Sequence, residues 1–166
     1  MTPIQRFQQD LDEGLILSDK AQLQAIQFLQ RLYDELIDAK KQDSISIGNR
    51  IKSWFKNQES SVTRGLYFWG GVGRGKTYLM DIFYDCLPFE NKLRTHFHRF
   101  MQRIHRDLDE LKGQTNPLNL VAGKIASNAR VICFDEFFVS DIGDAMLLAG
   151  AVKTVVRKRS CSSRDI

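Results

Sequence analysis

Arg64-Gly-Leu-Tyr-Phe-Trp-Gly-Gly-Val-Gly-Arg-Gly-Lys-Thr77 decides how the rest of this chain is read. Leu66 to Trp69 reads as a short apolar strand, and it runs into Gly70-x-x-x-x-Gly75-Lys76-Thr77, the spacing of a phosphate-binding loop, with a helix expected from about Thr77. The physical reason is local. Glycine at this density lets successive backbone N–H groups turn inward on one anion, and the helix that follows adds its N-terminal partial positive charge. In this spacing Lys76 is expected to bridge the outer phosphates and the Thr77 hydroxyl to hold Mg²⁺. The candidate nucleotide-binding residues are therefore Gly70, Gly71, Val72, Gly73, Arg74, Gly75, Lys76, Thr77 and Tyr78.

Working outward, the second informative stretch is Arg130-Val-Ile-Cys-Phe-Asp-Glu136. Four apolar residues ending in two carboxylates describe a buried central strand whose C-terminal end presents Asp135 and Glu136, where open α/β sheets bind ligands. This is a Walker B pattern: Asp135 is expected to hold Mg²⁺ through its water shell and Glu136 to polarise an attacking water, so that Lys76 and Glu136 form the catalytic set. An ordinary strand closing on a polar turn is the plain alternative. It loses weight because a complete phosphate loop lies upstream.

Between and around these motifs the apolar spacing organises the chain. Ala25, Ile26, Leu29, Leu32, Tyr33, Leu36 and Ile37 form one stripe of a helix over 21–39 that opens after Ser18-Asp19, a stripe that either packs on its own domain or binds a partner. From Gln5 to Leu17 apolar residues are sparse, and the first clear helix is the one that opens after Ser18-Asp19. Lys40 to Ser44 reads as a polar break, and Ile47, Ile51, Trp54 and Phe55 as a shorter helix before the linker 57–61. After the loop, Tyr78, Leu79, Ile82, Phe83 and Leu87 give the buried side of a helix ended by Pro88. Leu93 to Phe100 reads as a strand that places His96, His98 and Phe100 on one face, a histidine spacing compatible with metal but read as structural because no further ligand lies nearby. Arg99 to Lys112 and the set Leu118, Val121, Ile125, Ala126 read as helices, as does the segment after Ser140-Asp141.

Composition bounds the classes. A chain of 166 residues with 43% hydrophobic content can build one ordinary core, which excludes disordered and disulfide-scaffold proteins. Cys86, Cys133 and Cys161 have no paired spacing, and Cys133 reads as a small buried residue. The start Met1-Thr-Pro-Ile-Gln-Arg lacks a signal-peptide core and no run is long enough to span a bilayer, so a cytoplasmic location is expected. The net charge of +4 lies wholly in residues 151–166, where Lys153, Arg157, Lys158, Arg159 and Arg164 outnumber Asp165. Residues 1–150 are neutral, which disfavours a nucleic-acid partner.

Together, the phosphate-loop stretch, His96-Phe-His-Arg-Phe-Met101 and Cys133-Phe-Asp-Glu-Phe-Phe-Val-Ser-Asp-Ile142 resemble the ZapE cell-division ATPases, the bacterial branch of the Afg-one-like group of AAA+ proteins. The resemblance runs from about Pro3 to Gly150. It implies a P-loop NTPase (AAA+) α/β fold with a three-layer α/β/α core, here incomplete, preceded by an N-terminal helical segment. It also implies ATP and Mg²⁺ as cofactors, ATP hydrolysis in the cytoplasm, association with the tubulin-like protein of the division ring, and self-assembly. The expected organisation is an N-terminal helical segment over 1–61, a partial ATPase core over 62–150 and an aberrant basic tail over 151–166.

That tail departs from the resemblance, because family members continue with a further strand, an arginine finger and a lid domain. Codons allowed for residues 151–166, read one base later, can spell LLKRLFARGVVLVATS, with the last codon incomplete, so a frame shift after Gly150 is expected and the gene sequence tests it. A missing central strand would leave its neighbours unpaired, and burying Arg157, Lys158 and Arg159 in its place is costly, which predicts an impaired ATPase. The competing readings are a small phosphate-loop kinase, a non-catalytic interaction fragment and a DNA-binding loader. The Asp135-Glu136 pair weighs against the kinase, since an activated water serves hydrolysis.

Overall fold

The structure, a computed structural model, describes residues 1–17, 19–45, 63–139 and 141–162. Ser18, the set Ile47, Ile51, Trp54 and Phe55, the linker 57–61 and Ser140 lie outside the described residues. Two compact units are present, Met1–Pro88 and Phe89–Ile166.

The first unit opens with α1 (Pro3–Asp12), a helix that apolar counting passes over. Its start is written in capping chemistry instead: Gln5 N–H donates to Thr2 Oγ1 (3.4 Å), Thr2 N–H donates to Gln5 Oε1 (2.9 Å), and Pro3 occupies the first turn, where its missing N–H is harmless. Pro3, Phe7 and Asp10 are its buried side. α2 (Lys20–Ile45) begins where Asp19 Oδ1 accepts Gln22 N–H at 2.9 Å. Ile26, Leu29 and Leu36 of the expected stripe are buried, with Ala25, Leu32, Tyr33 and Ile37 half-buried, and the helix packs on α1 and on α3 (Lys76–Cys86). The stripe thus serves its own unit. The expected break at Lys40–Ser44 is corrected: no glycine or proline interrupts those residues, and the backbone stays helical through Ile45.

Leu66–Trp69 is not a strand here. Residues 63–70 make no ladder with any described residue, and Leu66, Tyr67 and Trp69 are 41%, 66% and 83% exposed. A strand exists only through a neighbour that takes its backbone bonds, and apolar alternation cannot supply one. α3 ends one residue before its C-cap Leu87, ahead of Pro88, and buries Leu79, Ile82 and Phe83.

In the second unit, β1 (Lys92–His96) pairs in parallel with β2 (Val131–Asp135), from Lys92 opposite Val131 to His96 opposite Asp135. The crossover is α4 (Phe97–Glu110) and α5 (Pro117–Asn128). The sequence expectation of a strand to Phe100 is overturned, because Phe97, Phe100, Met101 and Ile104 belong to a helical stripe that is buried through Ile104 and continues, half-buried, to Leu108. Two periodicities overlap over residues 97–100, and the longer one wins. His96 and His98 therefore do not share a strand face, although their rings still stack at 5.8 Å. β2 is not the fully buried central strand expected: only Cys133 is buried and β1 is its one neighbour among the described residues, so the three-layer core is represented by a two-stranded parallel sheet. Burial pushes the Cys133 thiol up to about 11, which keeps it a packed, unreactive residue.

α6 (Ile142–Ser162) carries the backbone helically into the basic tail. It passes α5 closely, since a Cβ on Gly150 would lie 2.7 Å from Leu118 Cδ2. Among the described residues no helix is long and apolar enough to cross a membrane.

Phe7 is 2% exposed and meets Tyr78 of α3 at 6.3 Å between ring centroids, so α1 is part of the first unit's core. Phe7→Ala is expected to cost about 3–5 kcal/mol in chemical denaturation, whereas an appended, non-packing α1 would show no loss.

Candidate functional site

The phosphate loop is built at the junction with α3. Gly75 caps the helix from the left-handed region (φ 74°) and its carbonyl accepts the first helical bond, from Leu79 N–H at 3.0 Å. The N–H groups of Lys76, Thr77 and Tyr78 precede that bond, and no side chain caps them, so they form the donor set of a helix N-terminus. Gly73 turns the loop at φ 82°, a conformation that residues with a Cβ rarely take. Lys76 Nζ folds back to donate to Gly70 O (2.8 Å) and Gly71 O (2.7 Å), which draws the two ends of the loop together and holds a cation across its mouth. Val72 and Thr77 are exposed, which leaves the Thr77 hydroxyl accessible.

Tyr78 turns the other way. Its hydroxyl donates to Asp10 Oδ2 at 2.6 Å, and burial followed by that carboxylate raises its pKa well above the ordinary phenol value. Asp10 is itself 4% exposed and accepts from Arg6 Nε at 3.1 Å. The Tyr78 side chain thus ties α3 to α1, and only its backbone N–H is left at the loop–helix junction. Arg74 is held too: Nη1 meets Asp19 Oδ2 at 3.2 Å, and its carbonyl accepts from Gln22 Nε2 at 3.4 Å. The Asp19 carboxyl sits below its ordinary value, first because Gln22 N–H donates to it. Sequence reasoning had Asp19 only as a helix cap, and missed Asp10 and Gln22 altogether. The spacing Thr2-x-x-Gln5 was the signal that α1 exists.

In the second unit, β2 delivers Asp135 at its C-terminal end. Arg94, on the neighbouring strand, grips it with two bonds, Nε to Oδ2 (2.8 Å) and Nη2 to Oδ1 (3.2 Å). An arginine in the middle of a strand calls for such a partner, and that was the legible clue. Glu136 follows, exposed, with φ at 51°. Its neighbours fix it there. Phe134 stands edge-on to Phe100 (4.9 Å), and Phe137 packs on Phe97 (4.7 Å), so the chain is pinned on both sides of the glutamate. A non-glycine residue held left-handed at a strand end is strained backbone at a position where water-activating chemistry was expected.

Residues 1–161 match the AFG1-like ATPase family. The chain belongs to the AFG1-like ATPase family. The match extends beyond Gly150 into the basic tail. Among curated relatives, the Escherichia coli K12 cell division protein ZapE is 48% identical over 160 residues, covering 93% of this chain and 43% of that protein. An uncharacterized protein of Schizosaccharomyces pombe is 33% identical over 175 residues, covering 89% of this chain and 38% of its own. The Danio rerio lactation elevated protein 1 homolog B is 43% identical over 96 residues, 51% of this chain and 19% of its own. The chain therefore spans less than half the length of these relatives. No solved structure matches it.

Mg²⁺, which AFG1-like ATPases imply, can be tested against the residues present. Asp135 gives two of its roughly four lone-pair directions to Arg94 and keeps the others, which fits a carboxylate that meets a hydrated cation through water. The accessible Thr77 hydroxyl is of the right type as well.

Relieving the strain at Glu136 should stabilise the chain. Glu136→Gly is expected to raise the unfolding free energy by roughly 1 kcal/mol, and Glu136→Gln to leave it unchanged, as read by denaturant titration.

Proposed function

We propose that this chain binds Mg·ATP through Gly70–Thr77 and acts as an ATPase. The observation that carries the reading is the loop itself: a left-handed Gly75 opens α3 with free N–H groups, and Lys76 lies across the loop mouth on two carbonyls that it can exchange for phosphate oxygens. Gly70, Gly71, Val72, Gly73, Arg74 and Gly75 supply backbone to the phosphates, followed by the N–H groups of Lys76, Thr77 and Tyr78. Thr77 and Asp135 are the residues that would hold Mg²⁺, which when bound offsets phosphate charge. Glu136 accepts a proton from the attacking water, and its exposed carboxylate on a pinned backbone suits that role.

The products are ADP and phosphate. The E. coli relative is named as a cell division protein, and we extend that role to this chain: a cytoplasmic ATPase that works with the tubulin-like protein of the division ring and assembles with copies of itself.

Phosphate release and binding of a fluorescent ATP analogue separate the parts of this reading. Lys76→Ala is expected to weaken analogue binding by more than about tenfold, since it removes a charged donor to the phosphates. Glu136→Gln is expected to bind as tightly as the parent and release no phosphate. Transfer of phosphate to an added acceptor instead of release to water would replace the ATPase reading with a kinase.

A further inference from the structure

Gln22 is the residue the motif does not explain. It lies in the first turn of α2, just after the Asp19 cap, and its amide reaches the last peptide of the phosphate loop. A carbonyl can only accept, so the NH₂ end must face Arg74 O; the other end, Oε1, is then buried without a hydrogen-bond partner among the described residues. An orphaned buried acceptor marks a side chain held for what its donor does.

What the donor does follows from the peptide bond. The Arg74–Gly75 peptide is planar and trans, so its carbonyl oxygen and its amide hydrogen point in opposite directions. Drawing Arg74 O toward α2 therefore sends Gly75 N–H away from α2. The close approach favours glycine. A Cβ at position 75 would stand 3.0 Å from Gln22 Nε2, and the residue sits at φ 74°. Asp19 holds the Arg74 side chain, with one carboxylate oxygen accepting from Gln22 N–H and the other from the Arg74 guanidinium. One short stretch of α2 thereby fixes its own helix start and the orientation of the loop.

We propose that Gln22 is a positioning residue of the phosphate loop, holding the Arg74 carbonyl so that Gly75 N–H is aimed at a bound polyphosphate. This rests on the nucleotide-binding reading above and deepens it, because it makes the N-terminal helical segment a working part of the loop. The bond is 3.4 Å long, at the weak end of the hydrogen-bond range, so its effect is the aim of one peptide rather than a large energy. Asp19 keeps Arg74 beside Gln22.

The test uses the full chain, with titrations of fluorescent Mg·ATP analogue and of tripolyphosphate, which has neither base nor sugar. Gln22→Met keeps the length and loses the donor, and Gln22→Glu keeps the shape and loses the donor. Both are expected to weaken the two ligands by about fivefold or more, the worth of one hydrogen bond, at an unchanged melting temperature. Asp19→Asn keeps the helix cap and loses the guanidinium pair, and is expected to give a smaller loss. Unchanged affinity in both Gln22 variants overturns the proposal while leaving nucleotide binding intact. A fall in melting temperature alongside the affinity, or failure of both variants to fold, makes Gln22 structural and overturns it as well. No binding by the parent chain overturns this proposal and the reading beneath it together.

Discussion

Gly75 is where the loop becomes a helix, and the local architecture depends on that one left-handed residue. At φ 74° it gives its carbonyl to Leu79 N–H, which starts α3, and turns the preceding peptide so that Arg74 O lies beside Gln22. The N–H groups that follow are left unspent. A residue with a Cβ would meet both penalties at once, the strained backbone and the Gln22 amide 3.0 Å away. The motif spacing that names this position as glycine thus has a steric cause in the fold as well as a chemical one in phosphate binding. α1 and α2 are drawn into the same constraint through Tyr78 on Asp10 and Arg74 on Asp19.

The second unit stores its constraint at Glu136. Parallel pairing brings Arg94 onto Asp135, and the aromatic group Phe97, Phe100, Phe134 and Phe137 clamps the chain on either side of the strained glutamate. Apolar packing here does positional work, fixing a backbone that an isolated peptide would avoid. The arginine sets the charge balance of the carboxylate that Mg²⁺ chemistry would use. Both features sit at the C-terminal end of a parallel pair, the edge where open α/β sheets carry their ligands.

Legibility in the sequence followed the range of the interaction. The loop, α3 and its end at Pro88 were readable because glycine spacing and proline act within a few residues. The stripe of α2 was readable for the same reason, and so was the burial of Cys133. α1 was missed because Thr2 and Gln5 announce it by capping rather than by apolar spacing. β1 was drawn too long because Phe97 to Phe100 satisfies a strand pattern and a helix pattern together. Leu66–Trp69 has the apolar character of a strand, though only a neighbour makes one. The contacts of Gln22 and Asp19 with Arg74 join residues more than fifty positions apart, and no local pattern encodes them.

Reception of the phosphates by the amides at the loop–helix junction underlies everything proposed for the first unit. Amide proton–nitrogen correlation spectra of the full chain, recorded as Mg·ATP is added, address it directly. The resonances of Gly73, Gly75, Lys76, Thr77 and Tyr78 are expected to move first and furthest. Nucleotide-dependent shifts that leave these five amides in place, or no shifts at all, would contradict it.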